Sequence, residues 1–408
     1  RDHRPEREES DDDVASLFDS FNSNSQKRNA PKELKSRFGI PILDEKTFYK
    51  IAHENGLSGM IFSILPKESF SEEIYNLFKK DFYAYNASDM KQLALINTLK
   101  SLFNAHEINH IFLKGVHLKH VYPASYMRSM GDIDILVDEA SFSKIKPLLK
   151  ANNFTLTSTS DAHDCYLHDS GLEIEIHPKL TRTFKTKQTE LFDQVWHYAK
   201  KEKDFTYQLD VTFELVYLLN HMAKHFYGSG VGLRTVLDIG LFTKKYCETL
   251  DLGLLDQFLE ETEYETFFMN MLYLNNRYFN LNPFPFIMKN VEMDETLYTM
   301  LTGYIIKAGV HGTGESFNQF IGRTAHYKLQ NKGKSALLRS ILFPKFSEMK
   351  GLYPWLKKLP FLLPFAYIHR VIKLTLFRTK RSFTKFKQLR SSNAVSEQAV
   401  DLYKKLGL

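Results

Sequence analysis

The sequence predicts an α+β chain in which a small mixed sheet flanked by helices is followed by a mainly helical domain. Three observations carry this expectation. Short apolar runs at 110–113, 132–137 and 172–177 read as strands, the latter two alternating at period two; apolar residues recur at helical spacing before, between and after those runs; and from about residue 206 the helical period persists.

Taken in order, residues 1–35 form a polar, acidic and highly charged segment with few apolar positions, expected to be disordered. Order is expected near Phe38, with helices between Asp44 and Phe82. Ser88 is placed as the cap of a longer helix carrying Leu93, Ile96, Leu99, Leu102 and Phe103 on one stripe. That helix leads into His110-Ile-Phe-Leu-Lys-Gly115, a buried strand ending in a Lys-Gly turn, and then into Val116-His-Leu-Lys-His120 as a helix start. Glycine at this turn lets backbone N–H groups approach a phosphate, and a helix N-terminus adds its positive end.

The next strand, in Met130-Gly-Asp-Ile-Asp-Ile-Leu-Val137, sends Asp132 and Asp134 from the same face of one rigid element. Two acids held side by side repel unless a cation binds them, and Mg²⁺ suits such a pair because it takes oxygen ligands and shares its shell with phosphates. Two acids on the wet face of a strand are also common without any chemistry. Asp138 is expected to cap a helix through Ile145, Leu148 and Leu149. Leu172-Glu-Ile-Glu-Ile-His177 then alternates strictly, putting Glu173, Glu175 and His177 on one face and offering a third carboxylate. His177 is either a partner of that site or a plain hydrogen-bonded strand histidine.

From residue 206 to 330 a helical domain is expected. Phe213, Val216, Tyr217, Asn220 and Lys224 share one side of its first helix, and His221, Lys224 and His225 stand at i, i+3 and i+4. Gly228-Ser-Gly230 breaks that helix, and Arg234 and Asp238 lie one turn apart on the next. The His221/His225 pair has three readings. A zinc site lacks the intervening glutamate of H-E-x-x-H. The second reading satisfies both histidines at a helix interface with Asp238, and the third places Lys224, His225 and Arg234 at the cleft. Arg128, just ahead of the aspartate strand, either contacts phosphate or neutralises the acidic pair.

Leu113-Lys-Gly115, Tyr122-Pro123, Arg128 with Gly131-Asp-Ile-Asp-Ile-Leu-Val137, Glu175-Ile-His177, His221-x-x-Lys-His225 and Arg234-x-x-x-Asp238 occur in that order. In this the chain resembles a large bacterial family of largely uncharacterised nucleotidyltransferases, within the polymerase β-like nucleotidyltransferase superfamily. The likeness runs from about residue 85 to about 245. It implies a polymerase β-like core at 36–205 in which Asp132 and Asp134 are metal ligands shared with a triphosphate. Glu175 completes the metal site and prepares the acceptor. Lys114 and Gly115 cradle phosphates, and Lys224, His225 and Arg234 contact triphosphate or acceptor. Mg²⁺ or Mn²⁺ is the implied cofactor, and an NTP, ATP among them, the implied substrate. Val116 stands where Ser is usual, which removes one hydroxyl contact to phosphate.

The expected reaction moves an NMP onto an unidentified acceptor, whether a small molecule, a glycan precursor or a protein hydroxyl. The rival is a non-catalytic module that keeps the fold to bind nucleotide or a partner. A chain-building polymerase fits poorly, because residues 1–330 carry a net charge of −8, which repels a polyanion.

Composition bounds the rest. The 408 residues, 43% hydrophobic, are enough for two folded domains. Two distant cysteines, Cys165 and Cys247, give no disulfide pattern, and with no apolar leader and no apolar run of spanning length the sequence suggests the cytoplasm, at most peripheral at the inner membrane face. Residues 331–408 hold 17 Lys and Arg against three acids, a net +14. There Tyr353-Pro-Trp-Leu356 and Leu359-Pro-Phe-Leu-Leu-Pro-Phe365 interleave with Lys357, Lys358, Arg370 and Lys373, ahead of the cluster Arg378–Lys387. This extension either packs on the helical domain or a partner, contacts an anionic membrane through 340–390, or, less favoured, follows nucleic acid.

Overall fold

A computed structural model describes residues 44–310 except 65–69, 161–162, 181–185, 229, 286–290 and 291–292, scattered positions between 324 and 340, then 342–376 and 393–408. The acidic N-terminal segment and the cluster Arg378–Lys387 lie outside the described residues.

The described chain opens with α1 (Glu45–Glu54), whose first turn is capped by Asp44 accepting from the Thr47 amide, and α2 (Ser58–Phe62). Next comes α3 (Glu72–Ala105), a single helix of 34 residues. Ser88 therefore does not start a helix but lies inside one. Its N-terminal half packs Ile74 and Phe78 on α1, and its C-terminal half packs Leu95, Leu99 and Phe103 on the sheet; burial at both ends overrides the capping preference in between.

Strand β1 (His110–Phe112) is followed by the one-turn helix α4 (Gly115–Leu118), β2 (Asp132–Val137), α5 (Phe142–Ala151), β3 (Phe154–Thr159), β4 (Asp164–His168) and β5 (Glu173–His177). Asp138 sits ahead of α5 rather than capping it. Its carboxylate accepts from the Ser141 amide at 2.8 Å, forming the turn that precedes the helix. After α6 (Thr186–Asp193) come β6 (Ala199–Lys203) and β7 (Thr206–Leu209). Residues 206–209, read from sequence as the beginning of the helical region, are thus a strand, and helix starts at Val211. Four residues are too few for a periodic signal.

The seven strands form one mixed sheet in the order β3-β4-β5-β2-β1-β7-β6. β2 runs antiparallel to β1 and parallel to β5, in the register Asp132↔Glu173 and Asp134↔Glu175. Because side chains alternate along a strand, Ile133, Ile135 and Val137 of β2 join Ile174 and Ile176 of β5 in a core with α3 and α5. A fully buried aliphatic side chain of this kind contributes about 2 kcal/mol. The acids consequently leave the opposite face. The charged edge strand β6, with Lys200, Lys201 and Lys203, discourages further pairing.

The helical part comprises α7 (Val211–Tyr227), α8 (Leu233–Tyr246), α9 (Leu252–Thr262), α10 (Glu265–Phe279) and α11 (Glu295–Ala308). Asp210 caps α7 by accepting from the Thr212 amide. Helix α7 is nearly all apolar because it is covered on most sides, and its Phe213, Val216 and Tyr217 share one core with Ile111, Leu113 and Leu136 of the sheet region. Near the C-terminus lie α12 (Phe346–Leu352), α13 (Leu363–Leu376) and α14 (Asn393–Leu406). Tyr403 of α14 is fully buried and donates to the Phe226 carbonyl at 2.6 Å.

One buried pair ties α4 to α7 and gives a pH-dependent expectation. The His117 Nδ1 meets a Glu214 carboxylate oxygen with both side chains nearly inaccessible. Burial alone would lower the His117 pKa, but the hydrogen bond and charge of Glu214 raise it overall, against a smaller opposing effect of Lys245. A raised folded-state pKa adds stability that is complete below the unfolded value of about 6.5 and is lost as pH climbs through the folded value. Melting temperature followed upward from pH 6 should therefore decline more steeply in the native protein than in Glu214→Gln. Parallel curves for the two proteins would show that this pair is not the cause.

Candidate functional site

The site begins with backbone register. Since β2 and β5 run parallel and in step, Asp134 lies directly beside Glu175 on the sheet face opposite the isoleucine core. Adjacent strands stand about 4.8 Å apart, so two carboxylates so placed are near neighbours. Asp132 leaves the same face one pair earlier, beside Glu173.

Lys114 arrives from the other flank of β2. The Leu113 amide donates to the Asp134 carbonyl at 3.0 Å, extending the β1–β2 ladder by one residue. The chain then turns at Lys114 itself, with φ 45° and ψ −105°. A side chain rarely adopts positive φ, and such a residue stores on the order of 1–3 kcal/mol of strain. The turn aims the Lys114 ammonium at Asp134, 2.9 Å from Oδ1. The positive φ falls on Lys114 and not on Gly115, where a methyl would lie 2.6 Å from the Met130 sulfur. A helix of four residues after it supplies little dipole.

His177 completes the cluster. Its Nε2 lies 2.9 Å from Asp134 Oδ1 and 3.4 Å from Glu175 Oε2. Asp134, Glu175 and His177 bring one ligand atom each within 4.8 Å of one another. His177 is therefore in direct contact with the acids, the first of its two sequence readings. The expected set of Asp132, Asp134 and Glu175 converges less symmetrically, with Asp132 at the margin.

The electrostatics follow from the contacts. Burial would raise Asp134, but Lys114 and then His177 hold its carboxyl well below the usual range. Lys114 is conversely held above its ordinary value, the Asp134 charge outweighing burial. Glu175 is lowered overall, its hydrogen bond from His177 outweighing burial. Asp132, with no such partner, is pushed up to about 6 by burial and by the charges of Asp134 and Glu175. An acid destabilised by neighbouring acids is a position that a divalent cation relieves, and the three carboxylates match the oxygen donors that Mg²⁺ or Mn²⁺ takes.

The other expected contacts are distributed differently. Arg128 is buried and forms a two-pronged pair with Asp238, Nε to Oδ1 at 2.8 Å and Nη2 to Oδ2 at 2.9 Å, while the Tyr122 hydroxyl donates to Oδ1 at 2.8 Å. Arg234, also buried, donates from Nη1 to the carbonyl and hydroxyl of Ser129 at 2.7 and 2.6 Å. Both guanidiniums thus fasten the loop before β2 to α8. Asp238 accordingly does not serve the histidines; His221 and His225 approach each other, Nε2 to Nε2 at 3.1 Å. Among the described residues no third metal-binding side chain joins them. Lys224 is exposed, and its pKa is lowered by partial loss of water and by the like charge of Lys114. The charges of Glu175 and Asp134 act on it in the opposite direction.

Two residues beside the site are not evident from the sequence motifs. His163 Nε2 lies 3.6 Å and Cys165 Sγ 3.8 Å from Glu175 Oε1. The available signal is the alternation His163-x-Cys165 immediately before Glu175-x-His177, which an antiparallel pairing of the two segments would bring together.

A family model described as an uncharacterised nucleotidyltransferase matches residues 42–280. No curated protein and no solved structure matches the chain. The match begins with the helices ahead of the sheet and ends at α10, so it includes both the strand acids and the first helices of the helical region.

Proposed function

The chain belongs to this uncharacterised nucleotidyltransferase family, and from that premise we propose that it transfers a nucleoside monophosphate from an NTP to an acceptor hydroxyl or similar group, with Mg²⁺ or Mn²⁺ held by Asp132, Asp134 and Glu175. The observation that supports this most is the in-register pairing of Asp134 with Glu175 on neighbouring parallel strands, with Lys114 at 2.9 Å. A divalent ion bound there supplies charge neutralisation for the phosphates. Lys114, which here lies 2.9 Å from Asp134, would offer its ammonium to a phosphate oxygen. Lys224 would add a second ammonium. Glu175, with His177 3.4 Å away on the same acid-bearing face of β5, would take the proton of an attacking hydroxyl.

The test is incubation with each α-labelled NTP, Mg²⁺ or Mn²⁺, and a cell extract as the source of acceptor. Label should pass to an extract component with one of the NTPs. If none appears with any NTP or either metal, the rival reading as a nucleotide- or partner-binding module takes its place.

We also propose that the protein contacts an anionic membrane surface, a reading supported by α13 and the turn before it. Phe361, Phe365, Ile368 and Ile372, spaced i, i+4, i+7 and i+11, are 72, 65, 57 and 44% exposed, so an entire apolar stripe is uncovered. Lys358, Arg370 and Lys373 accompany it, and each cation near such a surface is worth about 1 kcal/mol. Among the described residues no helix is long and apolar enough to cross a membrane, so the contact would be lateral. Vesicles containing phosphatidylserine should sediment the protein at low salt and release it at high salt, and Phe361→Glu/Phe365→Glu should not bind. Equal binding to phosphatidylcholine alone would remove the anionic surface from the proposal, and self-association through the same stripe would replace the lipid as its occupant.

A further inference from the structure

We propose that His163, Cys165 and Glu175 form a second cation site, selective for a thiophilic divalent ion such as Zn²⁺ or Co²⁺, that shares Glu175 with the oxygen-rich site. The inference rests on side-chain placement and not on the transferase reading.

The backbone builds the site. β4 runs antiparallel to β5 with Cys165 opposite Glu175. Continuing that register by two residues sets His163 across from His177, and their rings are 5.0 Å apart. Two H-x-C and E-x-H alternations are thereby zipped together on one sheet face.

Glu175 divides its two oxygens between two groups. Oε1 faces His163 Nε2 at 3.6 Å and Cys165 Sγ at 3.8 Å. Oε2 faces His177 at 3.4 Å, which itself reaches Asp134. The Nε2, Sγ and carboxylate ligand atoms of the first group all lie within 4.8 Å of one another. Zinc bonds of about 2.0–2.3 Å in tetrahedral arrangement separate neighbouring ligand atoms by roughly 3.3–3.8 Å. The two separations to Glu175 Oε1 fall inside that interval. All three residues are half-buried, so an ion can enter from solvent. Three protein ligands leave a fourth position open.

Donor chemistry sets the selectivity. A sulfur, an imidazole and a carboxylate together suit a borderline-soft ion and give Mg²⁺ no advantage. Ligation replaces the Cys165 S–H bond with an S–metal bond and releases the proton to solvent, with no change of oxidation state. Because one carboxylate serves both sites, an ion on His163 and Cys165 draws on the same group that the hard cation uses, which makes a thiophilic metal a modulator of that neighbour.

The test is a Co²⁺ titration of the full chain followed by absorption. We expect one equivalent to produce a near-ultraviolet thiolate-to-cobalt band with tetrahedral visible bands, undiminished by millimolar Mg²⁺ and abolished by Zn²⁺. Cys165→Ser should lose the near-ultraviolet band, and both Cys165→Ser and His163→Gln should weaken Zn²⁺ binding at least about 100-fold, judged against the 10–100-fold typical of losing an outer-shell partner. Cys247→Ser and Asp132→Asn should keep the band, the latter because it alters only the oxygen-rich site. Circular dichroism confirms that each variant is folded. No band in the native protein, a band surviving in Cys165→Ser, or its loss in Cys247→Ser overturns the assignment.

Discussion

Glu175→Gln is expected to cut nucleotidyl transfer by about 1,000-fold, the scale of losing a group that both holds charge at the reacting centre and handles a proton, while shifting the melting temperature by only a few degrees. The separation of the two effects comes from burial. Glu175 is half-buried and its neighbours His163, Cys165 and His177 keep polar surroundings without it. Asp134 differs. It is only 7% exposed and neutralises both Lys114 and His177. Its loss would strand a buried ammonium, at roughly 3–5 kcal/mol, and an inactive Asp134→Ala would not distinguish chemistry from unfolding. Labelling rates at saturating NTP, read beside calorimetry on the same preparations, decide the matter for Glu175. Activity within tenfold of native would remove Glu175 from the mechanism.

Asp238→Ala should be strongly destabilising, at about 3–5 kcal/mol, because it leaves Arg128 buried with no counter-charge. For a unit of this size that corresponds to a fall of about 10 °C in melting temperature. Tyr122 loses its acceptor in the same step. The double replacement Arg128→Met/Asp238→Leu, which removes both charges, should recover most of the loss, as buried ion pairs replaced by apolar residues commonly do. If Asp238→Ala melts within 2 °C of native, on a scale of roughly 2–4 °C per kcal/mol, the clamp between the pre-β2 loop and α8 contributes little.

What could be read from the sequence is what periodicity encodes. β2 and β5 alternate strictly, so the acids and the isoleucines sort themselves to opposite faces on pattern alone. The long apolar helix α7 was likewise legible, as was Arg234 one turn before Asp238. What was not legible depends on pairing across distance. Nothing local says that Asp238 belongs to Arg128, 110 residues away, or that His163 and Cys165 fold onto Glu175. The positive φ at Lys114 was hidden because a glycine stood next to it. β6 and β7 were missed for a different reason: one is rich in lysine and the other is four residues long, so neither carries an apolar rhythm.

The lockstep of β2 and β5 also bears on how such a chain can change over time. The isoleucines on the inner face act as a ruler: exchanging Ile133, Ile135, Ile174 or Ile176 for another aliphatic residue alters packing slightly and leaves the carboxylates where they were. Inserting or deleting one residue within either strand does the reverse, sending the acids into the oily layer and an isoleucine into water. Identity at these positions is thus free to drift among aliphatics, while the count of residues is fixed.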